Sequence, residues 1–258
     1  METFTITLGD CAENHAGMQK IGDLADSGFT HQDLKQAGKW FKKRGMKTVI
    51  YDLGEDGDNA FILVVKNGLS TIVDPDDFYD EQKELRKDTQ AFMYGRVVNK
   101  KARYNLCFDK IGQEPDYAGE SSLIANVRGD YENGKGTVIA FKEVPLLKQV
   151  MKTMKEILGE KGENLKAEGN YYYDITKCGI GYHGDAERRK VVGIRVGATM
   201  KLRFLWFQHG ERISEPIDFN LAHGDIYIMS EKTTGFDWKK RNITTLRHSA
   251  GCEKFIKY

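Results

Sequence analysis

Hydrophobic and polar positions alternate in short runs along most of this chain, and a helical repeat stands out in only a few places. Residues 4–8, Phe-Thr-Ile-Thr-Leu, alternate as a strand does. Thr30 can cap a helix whose Leu34, Ala37, Trp40 and Phe41 share one face, with Gly45 as its stop. Strands follow at 47–53 and 60–66. The acidic segment 54–58 between them lacks the ligand spacing of a calcium loop and is expected to be a turn. Asp74-Pro75 marks another turn, and 81–89 a charged helix. Runs at 92–98 and 101–108 predict a hairpin around Asn99-Lys100, and the polar stretch 109–136 a long loop or lid. Pro145 opens an amphipathic helix through Leu147, Val150, Met151, Met154, Ile157 and Leu158 to Gly159, its methionines serving as core filler. From Gly169 onward the pattern is mostly β, with runs at 191–196, 200–207, 217–221, 226–229 and 242–246. Such close, regular spacing predicts a sandwich or jelly roll rather than a parallel sheet.

Composition narrows the class. With 40% hydrophobic and 30% charged residues the chain has the makeup of a soluble globular protein. A soft boundary near residue 90 divides it into a small α/β region, 1–90, and a β-rich domain, 91–258. No apolar run approaches the roughly 20 residues a membrane helix needs, and the N-terminus carries no basic-then-apolar signal segment, so no membrane partner and a cytoplasmic location are expected. Cys11, Cys107, Cys178 and Cys252 are scattered, which argues against a zinc site or a disulfide scaffold and fits a reducing compartment. The formal net charge of +1 excludes binding to duplex DNA by bulk electrostatics, so any contact with nucleic acid or a nucleotide rests on a local patch.

The candidate chemistry gathers around 170–185. His183-Gly-Asp185 follows a strand-like run, and on an extended backbone residues two apart point to the same side. One more imidazole would complete a two-histidine, one-carboxylate facial triad, which suits a non-haem Fe(II) with open positions. That imidazole must come from His15, His31, His209, His223 or His248, of which His248 is favoured. The second triplet, His223-Gly-Asp225, leads straight into an apolar strand and reads as a structural turn. Elsewhere, Asn14-His15 fits either a substrate contact or a cap, and Arg103-Tyr104-Asn105 either a stacking surface or plain exterior. Arg188 and Arg189 fit either solvated charge or a contact with a substrate phosphate or carboxylate.

From Pro145 to Gly251 the order of motifs resembles the AlkB-type branch of the Fe(II)- and 2-oxoglutarate-dependent oxygenases. The chain offers a Pro-led helix, Asn170-Tyr-Tyr172, His183-Gly-Asp185, the strand Val191–Gly197, Gly224-Asp225 entering an apolar strand, and Arg241-x5-Arg247. The resemblance implies an α+β fold with a double-stranded β-helix (jelly roll) core and supporting helices. It also implies an oxidoreductase that couples C–H oxidation to conversion of 2-oxoglutarate and O₂ to succinate and CO₂. His183, Asp185 and His248 would hold Fe(II), and Asn170, Tyr172, Arg241 and Arg247 the cosubstrate, through guanidinium–carboxylate pairing. The chain departs from the family in two ways. The spacing from Asn170-x-Tyr172 to the H-x-D is slightly long, and no histidine precedes Arg241 in the family's distal position; His248 instead follows Arg247. Adjacent strand residues face opposite ways, so Arg247 and His248 share a face only across a bulge; otherwise Arg241, Lys254 or Lys257 would be the anchor. The implied substrate is an alkylated nucleobase, a protein side chain or a small molecule. A non-catalytic jelly-roll binding module and a repressor-like or structural protein are the alternatives from other classes.

Overall fold

The computed structural model describes residues 1–54, 58–110 and 126–258. The turn expected at 54–58 and the loop expected at 109–136 therefore lie partly outside the described residues.

Strand β1 (Thr3–Gly9) leads into a small hairpin, β2 (Cys11–Glu13) and β3 (Lys20–Gly22). Helix α1 (His31–Lys42) starts where Thr30 predicts: the Thr30 hydroxyl accepts from the Asp33 N–H, and the Asp33 carboxylate accepts from the Thr30 N–H. This reciprocal cap satisfies two N–H groups that no helical carbonyl can reach. After the antiparallel pair β4 (Thr48–Asp52) and β5 (Phe61–Val65), Asp74-Pro75 opens a helix rather than a turn: α2 spans Pro75–Glu84. Asp74 caps the N–H groups of Asp76 and Asp77, and proline in the first turn gives up only an N–H that would have lacked a partner. The helix expected at 81–89 is thus the tail of one that begins six residues earlier.

The hairpin near residue 95 is β6 (Gln90–Met93) with β7 (Arg96–Asn99), and it turns at Tyr94-Gly95, both at positive φ, not at Asn99-Lys100. Two consecutive left-handed residues match the twist of a tight hairpin. Next come β8 (Tyr104–Asp109), β9 (Asn126–Val127), β10 (Val138–Ala140), and helix α3 (Pro145–Leu158), which Gly159 ends as its spacing predicts. The remainder is β11 (Lys166–Tyr172), β12 (Gly179–His183), β13 (Val191–Gly197), β14 (Met200–Gln208), β15 (Glu211–Arg212), β16 (Ile217–Leu221) and β17 (Ile226–Met229). A short α4 (Glu231–Thr234), then β18 (Thr245–Gly251) and α5 (Glu253–Ile256), complete the chain. The last expected strand, 242–246, is displaced toward the C-terminus, so His248 lies inside β18 rather than after a strand.

Among the described residues the larger sheet has nine strands in the order β4-β5-β17-β13-β1-β11-β8-β10-β9, and a smaller one pairs β12-β18-β14-β15, with β16 also on β14. The fold is mixed α+β and mostly strand. The sheet crosses the boundary expected near residue 90: β1 lies between β13 and β11, hydrogen-bonded to both along its length.

Alternation along the strands divides the large sheet between two cores. Phe4, Ile6 and Leu8 of β1, Val192, Ile194 and Val196 of β13, and Ile226 and Ile228 of β17 pack with Leu34 and Phe41 of α1, Phe78 of α2 and Leu147, Val150 and Met154 of α3. Residues of opposite parity, among them Ile62, Val64, Tyr172, Val191, Tyr227 and Met229, pack against Leu202, Phe204 and Trp206 of β14 and Leu246 of β18. The layers are therefore helices, large sheet, small sheet. Each fully buried Leu, Ile, Val or Phe contributes about 1.5–3 kcal/mol by leaving water, so both cores are needed to hold the central sheet. No helix among the described residues is long and apolar enough to cross a membrane.

Candidate metal centre

Between the two sheets lies a cavity of about 450 Å³. Its large-sheet wall is made by the residues whose parity turns them away from the helices: Thr5 and Thr7 on β1, Glu168, Asn170 and Tyr172 on β11, and Arg195 on β13. His183 and His248 stand on the opposite wall, with Asp185 just beyond β12.

His183, Asp185 and His248 converge, each offering one ligand atom within 4.8 Å of the others. Asp185 Oδ1 is 3.7 Å from His183 Nε2 and 3.8 Å from His248 Nε2. An ion bound at about 2.1 Å to each ligand spans donors up to about 4.2 Å apart, so these separations fit a single metal. The convergence has a local cause. The β12–β18 register shifts between Ile180 and His183, and this irregularity sets His183 directly across from His248. The β14–β18 register is regular, with Leu205 facing Arg247 and Phe204 facing His248. The bulge that sharing a face would require is thus absent next to Arg247 and present on the neighbouring strand.

His183 is oriented by a contact between Nδ1 and the Gly181 carbonyl at 2.8 Å; with the proton on Nδ1, Nε2 is left free as a ligand. Asp185 is 9% exposed, its backbone N–H is held by the Thr234 carbonyl, and no hydrogen-bond donor approaches its carboxylate among the described residues. Burial raises the Asp185 carboxyl above the ordinary range, and the opposing pull of Arg188 and His183 does not cancel it. Burial, with the nearby charges of His183 and Arg188, pushes His248 well below the usual imidazole value, which keeps it in the neutral, metal-ligating form. Gly184 has to be glycine: a Cβ there would sit 2.0 Å from the Gly235 carbonyl oxygen and 2.7 Å from the Trp238 side chain.

The expected cosubstrate residues divide. Tyr172 lines the cavity and is buried. Asn170 lines it too, but its amide is committed: Oδ1 accepts from Arg103 Nε at 2.6 Å and Asn105 Nδ2 at 2.7 Å, while Nδ2 donates to Glu168 at 2.8 Å. Neither arginine of the 241–247 pair reaches the cavity. Arg241 is exposed on a turn, and Arg247, on the opposite face of β18 from His248, lies over the rings of Phe207 and Trp238 at 4.2 and 5.4 Å. Lys254 and Lys257 are exposed.

The cavity does hold another arginine, Arg195, which the sequence reading did not single out. It is 1% exposed, and neither its Nε nor its Nη1 has a hydrogen-bond partner among the described residues. Its neighbour across the β1–β13 ladder, Thr5, is 5% exposed and its hydroxyl is equally unpartnered. Burial pulls the Arg195 guanidinium below its ordinary value, opposed by Tyr172, Tyr227 and Asp225. The available signal was a lone arginine inside Val-Val-Gly-Ile-Arg-Val-Gly, a run otherwise apolar on both faces.

Of the other candidates, His15 lines the cavity mouth and Tyr104 does not, stacking instead on Tyr173 at 4.9 Å. Arg188 is in the cavity, bound to Glu168 at 2.7 Å and Glu187 at 2.8 Å. Arg189 is elsewhere, donating to the Asp26 carbonyl. For Glu168, burial alone would raise the carboxyl, but Arg188, with Asn170 and Arg103 adding to it, holds it below the ordinary value.

No family model matches the chain. It is 46% identical over 264 residues, 99% of this chain and 98% of the other, to a protein of Acanthamoeba polyphaga mimivirus described as "Uncharacterized protein R156". Identity at that level over both full lengths places the chain in the same family as that mimivirus protein.

Proposed function

We propose that this protein is an Fe(II)- and 2-oxoglutarate-dependent oxygenase of the AlkB-like type, built on a double-stranded β-helix. The observation that carries the reading is the meeting of two imidazole Nε2 atoms and one buried carboxylate, without a hydrogen-bond donor among the described residues, on the wall of a cavity between the sheets. Two runs of four strands that face one another, β11-β1-β13-β17 and β12-β18-β14-β16, support the jelly-roll reading. In this reading the N-terminal β1 supplies one of the eight strands, so the first residues belong to the catalytic core.

His183, Asp185 and His248 would hold the metal, whose chemistry, with 2-oxoglutarate and O₂, is oxidation of a substrate C–H bond with release of succinate and CO₂. The chain's own contributions are placement and shielding. With Asp185 as the one anionic ligand beside two imidazoles, a divalent ion held there would keep positive charge for an anionic cosubstrate. Arg195, with the Thr5 hydroxyl beside it, would take the far carboxylate of 2-oxoglutarate, replacing Arg241 and Arg247 in that task. A buried guanidinium with unused donors is costly on its own and is offset by a bidentate carboxylate.

The test needs no substrate. Fe(II) and 2-oxoglutarate are added anaerobically to the protein, and the visible metal-to-cosubstrate charge-transfer band is sought. The expected outcome is a band that is lost in His183→Ala. Folded wild-type protein without a band would remove the oxygenase reading in favour of a binding module.

A further inference from the structure

The large-sheet wall of the cavity carries a row of polar side chains across four neighbouring strands. Arg195 on β13 faces Thr5 on β1, Thr5 faces Asn170 on β11, and Asn170 faces Asn105 on β8. At about 4.8 Å per strand, roughly 10 Å separates the backbones of Arg195 and Asn170. Just before β8, outside this row, Arg103 reaches Asn170 with its Nε and also lines the cavity. The cavity thus has one guanidinium in the row, at Arg195, and a second hydrogen-bonded to the row at Asn170.

Arg188 shows how a structural arginine sits in this cavity: two carboxylates hold it within 2.8 Å. Arg103 is different. Among the described residues its single hydrogen bond runs from Nε to Asn170 Oδ1, and none of their carboxylates forms an ion pair with it. Asn170 is itself fixed by Asn105 and Glu168. Asn105 in turn accepts from Lys100 Nζ at 3.1 Å, and Lys100 donates to Asn14 at 2.6 Å. A chain of buried amides therefore orients Arg103 by its Nε edge and leaves its two terminal nitrogens uncommitted at the mouth. A guanidinium held this way has lost little more freedom to lose on binding, and its open fork matches an oxyanion in two parallel hydrogen bonds.

We propose that Arg103 binds an anionic group, a carboxylate or a phosphate, on the primary substrate. The assignment rests on the oxygenase reading in one respect: 2-oxoglutarate has two carboxylates, one for the metal and one for Arg195, and none for Arg103. The second anion must then belong to the molecule being oxidised. The site accordingly selects a substrate that carries a negative charge, rather than a neutral or cationic one.

The probes are acetate and methyl phosphate, titrated calorimetrically into wild type, R103Q, R103K and R195Q, with thermal melts to confirm folding. In metal-free wild type the expected stoichiometry is two anions per chain, one lost in R195Q and the other in R103Q. With Fe(II) and 2-oxoglutarate bound anaerobically, one anion site is expected to remain. R103Q weakens that site at least tenfold while leaving 2-oxoglutarate affinity within about twofold, and R103K falls between, keeping the charge without the fork. The stronger of the two probes identifies the group. Equal anion binding by loaded wild type and R103Q would overturn the proposal, as would loss of 2-oxoglutarate affinity in R103Q with none in R195Q. If the protein binds no 2-oxoglutarate at all, the oxygenase reading fails. The metal-free count still decides whether Arg103 is an anion site.

Discussion

The tripeptide His-Gly-Asp occurs twice in this chain, at 183–185 and at 223–225, in contrasting surroundings. In the second copy every acceptor has a task. Asp225 accepts from the backbone N–H of Asn67 and of Ala222 and from Lys66 Nζ, and His223 Nδ1 accepts from the Gly197 N–H. Gly224, at φ +80°, makes the turn that delivers the chain into β17. The acceptors of that triplet are taken up by the fold, and His223 Nε2 stands 3.4 Å from the exposed Asp76 carboxylate. In the first copy the Asp185 carboxylate is almost as deeply buried yet receives no hydrogen bond among the described residues, and a second imidazole from β18 faces it. Identical residues are thus a turn in one place and part of a cluster able to hold a metal in the other, and the difference lies in what the surrounding elements present to them.

The same contrast separates the arginines. Arg247 lies over aromatic faces outside the cavity and Arg188 binds two carboxylates, whereas Arg195 keeps two buried donors unpartnered among the described residues and half-buried Arg103 makes a single hydrogen bond among them, both in one cavity. A buried polar group left unpaired costs about 1–3 kcal/mol, more when charged, so unused donors of this kind mark places where a ligand completes the structure.

Metal binding gives the largest expected effect. His183→Ala, Asp185→Ala and His248→Ala should each lower affinity for a divalent ion at least about 100-fold, read by anaerobic titration, because each removes one of only three protein ligands. His223→Ala should leave one ion per chain; loss of the metal from that folded variant would reverse the roles of the two triplets. Next in size is stability. Asp225→Ala strands the N–H groups of Asn67 and Ala222 and should cost about 2–4 kcal/mol in denaturant melts, without changing metal stoichiometry. Third, Arg195→Gln should weaken 2-oxoglutarate binding about 10- to 100-fold, the worth of a charge-assisted pair, while Arg241→Gln and Arg247→Gln stay within about twofold. A larger loss in Arg247→Gln would return the anchor to β18.

A further prediction is a pH dependence among the committed groups. Burial holds Lys100 down at about 8 against an ordinary value of 10.5, opposed by Asp88 and assisted by Arg103. Between those two values the folded state binds fewer protons than the unfolded state, so this group's contribution to stability should rise with pH from about 8 towards 10.5. The slope is at most about 1 kcal/mol per pH unit. Lys100→Met should lack that rise when the melts of the two proteins are compared across the window.

Local chemistry was legible in the sequence. The capping box at Thr30, the helix from Pro145 to Gly159 and the strand periods of 191–196 and 200–207 all follow from interactions within a few residues. Where a local signal had two readings, packing chose between them. Asp74-Pro75 suits a turn and a helix start equally well, and α2 forms because Phe78 buries itself in the helix-side core. The pairing of His183 with Asp185 could be read from a period of two, and His248 could be favoured as their partner. The irregularity in β12 that sets His183 opposite His248 could not, because register depends on a strand far along the chain.

What the sequence by itself determined about this protein is the set of amphipathic elements and the residue types able to hold a metal or an anion. Alternation places Thr5 on the face of β1 opposite Phe4, Ile6 and Leu8, whereas β13 is apolar on both faces and its pattern does not say which way Arg195 points. Alternation carries no information about which strand lies next to which. Only the tertiary structure decided that the N-terminal β1 would enter the sheet between β11 and β13, bringing Thr5, Asn170 and Arg195 into one row across the cavity wall. The physical reason is that side-chain direction is set by the local backbone, whereas strand order is set by the collective burial of both faces of the sheet, a quantity summed over the whole chain.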